Sequence, residues 1–248
     1  MLLSLLQGGS IQSILVSLLL TLPVILIALV FHEVAHGFVA WKCGDETAHN
    51  LGRLTLNPTK HLDPVGFLTM LLVGFGWAKP VPINTRNFRN PKRGMALTAA
   101  AGPAANFVLG VLGAVLFAFF SALYTDIYLT SGEGFLLNCV YWLAVISQMS
   151  ALINFIFMAF NLIPIPPFDG SRIAFVFLPP KYYFAIMRYE RQIMYGLLIA
   201  LIGLSLVFDF SPTQWIAEKL TGLIYTPAHR LFCRWLLPED IFLYLFGR

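Results

Sequence analysis

Val24-Ile-Leu-Ile-Ala-Leu-Val-Phe-His32-Glu33-Val-Ala-His36-Gly37 carries an unbroken apolar stretch straight into two histidines and a glutamate. The apolar residues belong to a run over 11–41, longer than the about 20 helical residues needed to cross a hydrocarbon core. Residues four apart share one face of a helix, so His32 and His36 can reach the same ion. With this chain's own His and Glu frequencies, His-Glu-x-x-His arises by chance in on the order of a few chains per thousand. The plain alternative, helix residues packed in a bundle or facing water, fails here. Each ionisable group at membrane depth costs about 2.5–3.5 kcal/mol on insertion scales and is usually kept for function.

Further apolar runs at 94–124, 134–163 and 188–209 repeat the pattern. Of the 248 residues 58% are hydrophobic and 11% charged, too few charges to dress a water-soluble fold, where about 25% is usual. The expected fold is an all-α polytopic membrane protein of about four transmembrane helices, the first three carrying the metal site. Residues 65–77 are too short and too glycine-interrupted to span, and read as a re-entrant or strand-like membrane element. The tail after the fourth run, with Lys219, Arg230, Arg234, Glu239 and Asp240 among apolar stretches, reads as interfacial helices. One membrane domain over 1–248 is expected, with a core at 20–180 and an extension at 181–248.

The formal net charge of +4 comes with no dense basic run interleaved with aromatics, so nucleic acid is not an expected partner. Lys42, Arg53, Lys60, Lys79, Arg86, Arg89, Lys92 and Arg93 instead collect in the connection over 42–93, whereas 125–133 holds Asp126 and Glu133 and no Lys or Arg. By the positive-inside rule the first connection is cytoplasmic and the N-terminus outside. The first twenty residues have no Lys or Arg before an apolar run that continues past 40, so a retained span is expected rather than a cleaved leader. The cysteines, Cys43, Cys139 and Cys233, are odd in number and unrelated in spacing, which suits reduced thiols.

Two histidines leave a catalytic zinc one protein ligand short of the usual three. Asp169 follows the prolines that break the third run, and by the topology above lies at the same membrane end as His32 and His36. Spacing alone leaves it equally readable as the turn residue of Asp169-Gly170. Glu33 is placed to take a proton from a water that the metal acidifies.

Three segments together resemble the site-2 protease family of intramembrane zinc metalloproteases: Phe31-His-Glu-Val-Ala-His-Gly37, Ala101-Gly-Pro-Ala-Ala-Asn106, and Asn161-Leu-Ile-Pro-Ile-Pro-Pro-Phe-Asp-Gly170. Gly52-Arg-Leu-Thr-Leu-Asn-Pro58 and Gly76-Trp-Ala-Lys-Pro-Val-Pro82 extend the resemblance over residues 20 to 180. It implies His32, His36 and Asp169 as ligands of one Zn²⁺ per chain and Glu33 as general base. Asn106 and Asn161 match the family's asparagines, with either an oxyanion or substrate-holding role or plain helix–helix hydrogen bonding. Gly74–Ile83 matches a stretch thought to receive substrate in the family, and reads otherwise as a surface loop.

The resemblance further implies hydrolysis of peptide bonds in or near the spans of membrane-anchored, single-span proteins, such as membrane-bound transcription factors or anti-sigma factors. The expected setting is the plasma membrane of a prokaryote, with the lipid bilayer as surroundings and the site near the cytoplasmic face. The PDZ and nucleotide-sensing domains of many relatives find no room in this sequence, which suggests a minimal form. A metal transporter would need polar sites in series along its spans, and the second and fourth runs offer little beyond Asn106. The substrate and the oligomeric state are not legible in the residues.

Overall fold

The computed structural model describes residues 10–73, 78–177 and 212–246, with isolated positions between 179 and 200. Helix α1 spans Ile11–Lys42, α2 Thr47–Asn50, α3 Pro64–Val73, α4 Pro91–Ser131, α5 Phe135–Asn161, α6 Asp169–Phe175, α7 Pro212–Leu236 and α8 Glu239–Phe246. Among the described residues, three helices are long and apolar enough to cross a membrane: Leu15–Lys42 within α1, α4 and α5. The protein is therefore an all-α, multi-pass membrane protein. The fourth apolar run, 188–209, lies largely outside the described residues.

Helix boundaries follow local chemistry. Pro91 opens α4, where its missing N–H costs nothing, and the Asn90 side chain accepts from the Arg93 N–H at 3.1 Å as the cap. The stretch 125–133 was expected as a connection, but α4 continues through it to Ser131. Residues 125–131 hold neither Gly nor Pro, so the helix runs on to the first residue that tolerates a left-handed backbone, Gly132 at φ 71°. Only residues 132–134 then separate α4 from α5. At the other end α5 stops at Asn161, ahead of Pro164, Pro166 and Pro167.

The expected re-entrant element is the ten-residue helix α3, capped by Asp63, whose carboxylate accepts from the Gly66 N–H at 2.8 Å. An isolated antiparallel bridge joins Leu62 to Ala78 just outside it. Residues 74–77 of the same stretch lie outside the described residues.

Two compact units divide the chain, Met1–Asn106 with Phe157–Pro212, and Phe107–Ile156 with Thr213–Arg248. In the second, α4 and α5 approach until their backbones nearly touch. A side chain at Gly113 would meet the Ala151 nitrogen at 2.7 Å, and one at Gly110 the Phe155 ring at 2.6 Å. Small residues let helices pack this closely where lipid gives no hydrophobic drive to associate. Further along α4, Ala122 packs with Cys233 and Leu237, and Tyr225 of α7 stacks on Phe117 with ring centres 4.5 Å apart. The expected ligands all belong to the first unit.

Candidate metal centre

Helix α1 carries His32 and His36 one turn apart, both buried, with ring centres 4.6 Å apart and planes nearly perpendicular. Each ring is fixed at its far nitrogen. His36 Nδ1 lies 2.7 Å from the Thr98 carbonyl, which can only accept, so that nitrogen carries the proton. His32 Nδ1 lies 2.6 Å from the Asn106 amide oxygen, while the Asn106 nitrogen donates to the Ala28 carbonyl at 3.3 Å. In the neutral tautomer with that proton, each ring presents its Nε2 lone pair to the other, 3.0 Å away.

Asp169 completes the cluster. As the first residue of α6 it brings Oδ2 to 3.2 Å from His32 Nε2 and 3.1 Å from His36 Nε2. Gly170 makes this approach possible, since a side chain there would run into the Leu162 and Ile163 carbonyls at the end of α5. Three acceptor atoms facing one another in a buried place repel unless a cation joins them. Zinc ligands at about 2.0–2.1 Å in a tetrahedron stand roughly 3.3 Å apart, so these separations fit the ion with one position left open. Among the described residues this is the cluster of His, Cys, Asp or Glu able to hold a metal. His49 stacks on Trp41, His61 donates to the Thr55 carbonyl at 2.8 Å, and His229 of the second unit lies beside Cys233.

Helix α4 supplies the wall. Thr98, Gly102 and Asn106, each four residues on from the last, share one face toward the histidine pair. Pro103 has no N–H to pair with the Ala99 carbonyl, next to the Thr98 carbonyl that accepts from His36. Gly102 leaves no room for anything larger: a Cβ would lie 2.5 Å from His32 Cε1 and from His36 Nε2.

The other expected residues fall as follows. Glu33 lies between the two ligand candidates on α1, and its Oε2 accepts from the Val81 backbone N–H at 2.8 Å. Asn106 sits fully buried with its amide oxygen on His32. Asn161 turns its amide nitrogen back onto its own helix, donating to the Phe157 carbonyl at 3.0 Å. The supporting roles of Thr98, Gly102 and Val81 were not read from the sequence. A stripe of Thr, Gly and Asn at four-residue spacing in an apolar helix was the signal for the first two.

No family model matches the chain, and no solved structure matches it. Among curated proteins it is 38% identical over 156 residues to YwhC of Bacillus subtilis, named as a zinc metalloprotease, covering 63% of this chain and 68% of that protein. Over 213 residues it is 29% identical to Rip2 of Mycobacterium tuberculosis, also named as a zinc metalloprotease, covering 83% and 74%. Rip2 of Mycolicibacterium smegmatis is 30% identical over 154 residues, covering 58% of this chain and 52% of that protein. With its buried His-His-Asp cluster beside a helical His-Glu-x-x-His, the chain belongs to the zinc metalloprotease family of YwhC and Rip2, the site-2 protease family that its motifs resemble.

Proposed function

We propose that the protein hydrolyses peptide bonds in or near the transmembrane segments of single-span membrane proteins, with one zinc held by His32, His36 and Asp169. The observation that carries this reading is the convergence of Asp169 with two histidines of a helix long enough to cross the membrane. When bound, zinc acts as a Lewis acid that acidifies water and polarises a substrate carbonyl.

The chain's own groups supply the rest. Glu33 takes the proton from the attacking water and hands it to the leaving amine, a contribution of about 10²–10⁴ in rate for a well-placed acid–base group. The Thr98 carbonyl and the Asn106 amide hold the two imidazoles in the tautomer that points Nε2 inward, as outer partners of metal-binding histidines do. Asn106 gives its amide oxygen to His32 and one amide N–H to the Ala28 carbonyl, so we assign it first to holding His32. Asn161 spends one amide N–H on the Phe157 carbonyl, and its second N–H is the one that a substrate-holding role would use.

The charge pattern supports a site near the cytoplasmic face of a prokaryotic plasma membrane, an N-terminus outside, and α7 and α8 at the interface. Cleavage of a panel of epitope-tagged single-span proteins by detergent-purified wild type and Glu33→Gln, with metal analysis, tests the reading. It stands if wild type cuts, the variant does not, and both hold about one zinc per chain. It falls if neither protein cuts, or if neither binds metal.

A further inference from the structure

Between the bridge at Ala78 and the turn at Thr85–Asn87, the chain crosses the end of α1 as a strap with few hydrogen-bond donors. Pro80 and Pro82 have no N–H, so of residues 80–82 only Val81 can donate, and it donates to Glu33 Oε2 at 2.8 Å. Lys79 and Val81 each precede a proline, which confines both to extended backbone and makes the segment stiff. The Val81 side chain is buried against Gly37, where an added Cβ would lie 3.1 Å from Val81 Cγ1.

Both ends of the strap are tied down. The Lys79 N–H donates to the His61 carbonyl at 2.8 Å, and Arg53 Nη2 donates to the Lys79 carbonyl at 2.8 Å. At the far end Asp45, fully buried just beyond α1, accepts from the Asn84 N–H at 2.6 Å and from the Asn87 side-chain amide at 2.9 Å. The Thr47 N–H and hydroxyl complete its shell. Asp45 thus fixes the strap to the same helix that carries Glu33.

We propose that the Val81 N–H is the group that aims Glu33, and that Asp45 is a positioning residue acting on it through the strap. This rests on Glu33 serving as the base. A glutamate has three side-chain torsions, and ordering it costs up to about 1.5–2 kcal/mol. One N–H on Oε2 meets that cost before substrate arrives and leaves Oε1 to take the proton. Because the donor is a backbone group between two prolines, it cannot swing away as a side-chain donor would.

The experiment uses the full-length, zinc-loaded protein and the single-span test protein that wild type cuts fastest. An ester variant in which an α-hydroxy acid replaces Val81 deletes the N–H and weakens the Pro80 carbonyl, whose partner is Arg53 Nη2 at a long 3.4 Å, and Val81→Ala keeps both. The ester variant is expected to fall at least about tenfold below Val81→Ala in kcat, within the range of acid–base contributions, with KM and zinc content matched. Asp45→Asn lowers kcat in the same direction with KM unchanged. Independently of activity, Glu33→Ala in the metal-free protein speeds amide hydrogen exchange at Val81 and leaves Lys79 unaffected. Equal kcat for the ester and alanine variants, a loss confined to KM, or unchanged exchange at Val81 overturns the inference while leaving the protease reading intact. If wild type and Glu33→Gln are equally inert, both fall.

Discussion

The α-carbon of Gly102 faces His32 so closely that a methyl group placed on it would sit 2.5 Å from the imidazole Cε1. Helix α4 therefore seals one side of the cluster with bare backbone. Gly102→Ala forces the rings or the helix to move, at about 1–3 kcal/mol for an overpacked site. The expected result is a protein with unchanged helicity by circular dichroism and zinc affinity weakened by at least about tenfold, measured by competition with a chromogenic chelator.

His36→Ala and Asp169→Ala each leave two of the three proposed ligands where a catalytic zinc takes three. Metal content by mass spectrometry should drop from about one ion per chain to about none, and no cleavage should remain. Asp169→Glu, which keeps the charge but lengthens the arm, should retain more metal than Asp169→Ala.

Asn106→Ala removes the partner of His32 Nδ1 while leaving all three proposed ligands in place. Loss of such an outer hydrogen bond typically costs 10- to 100-fold, so a zinc affinity weakened by about that factor is expected. A variant that binds zinc like wild type would return Asn106 to the oxyanion role that the motif also allows.

Burial alone would push the Asp45 carboxyl up, but the Thr47 hydroxyl, the Asn84 N–H, the Asn87 amide and the Thr47 N–H outweigh it and hold it below the usual carboxylate range. A lowered folded value means that the stabilisation is complete above the unfolded value of about 3.9 and is lost as pH falls through the folded one. Thermal unfolding in detergent should show wild type more stable than Asp45→Asn at pH 7. The gap should narrow below about pH 4, where the unfolded carboxyl takes its proton.

The parts of this architecture that depend on local pattern were legible in the sequence. Apolar runs delimit α1, α4 and α5 because crossing a bilayer demands length and few charges, and the pair His32 and His36 declares itself by helical spacing. Asp169 was not fixed by spacing, because Asp-Gly is an ordinary turn; the family's motif raised it, and Gly170 against the Leu162 carbonyl shows why the glycine is there. The Val81–Glu33 bond was invisible, since it uses a backbone N–H across 48 positions and no side-chain type announces it. The length of α4 was misjudged because polar residues at 125–131 suggested a connection, whereas only Gly132 supplies the backbone that ends a helix.

The short junction at 132–134 also bears on how the chain is made. Two long apolar helices joined by three residues and seated backbone to backbone at Gly113 and Ala151 suit entry into lipid as a helical hairpin. In such a hairpin the direction of α5 is inherited from α4. By the positive-inside rule, Arg86, Arg89, Lys92 and Arg93 around Pro91 would then orient two spans at once.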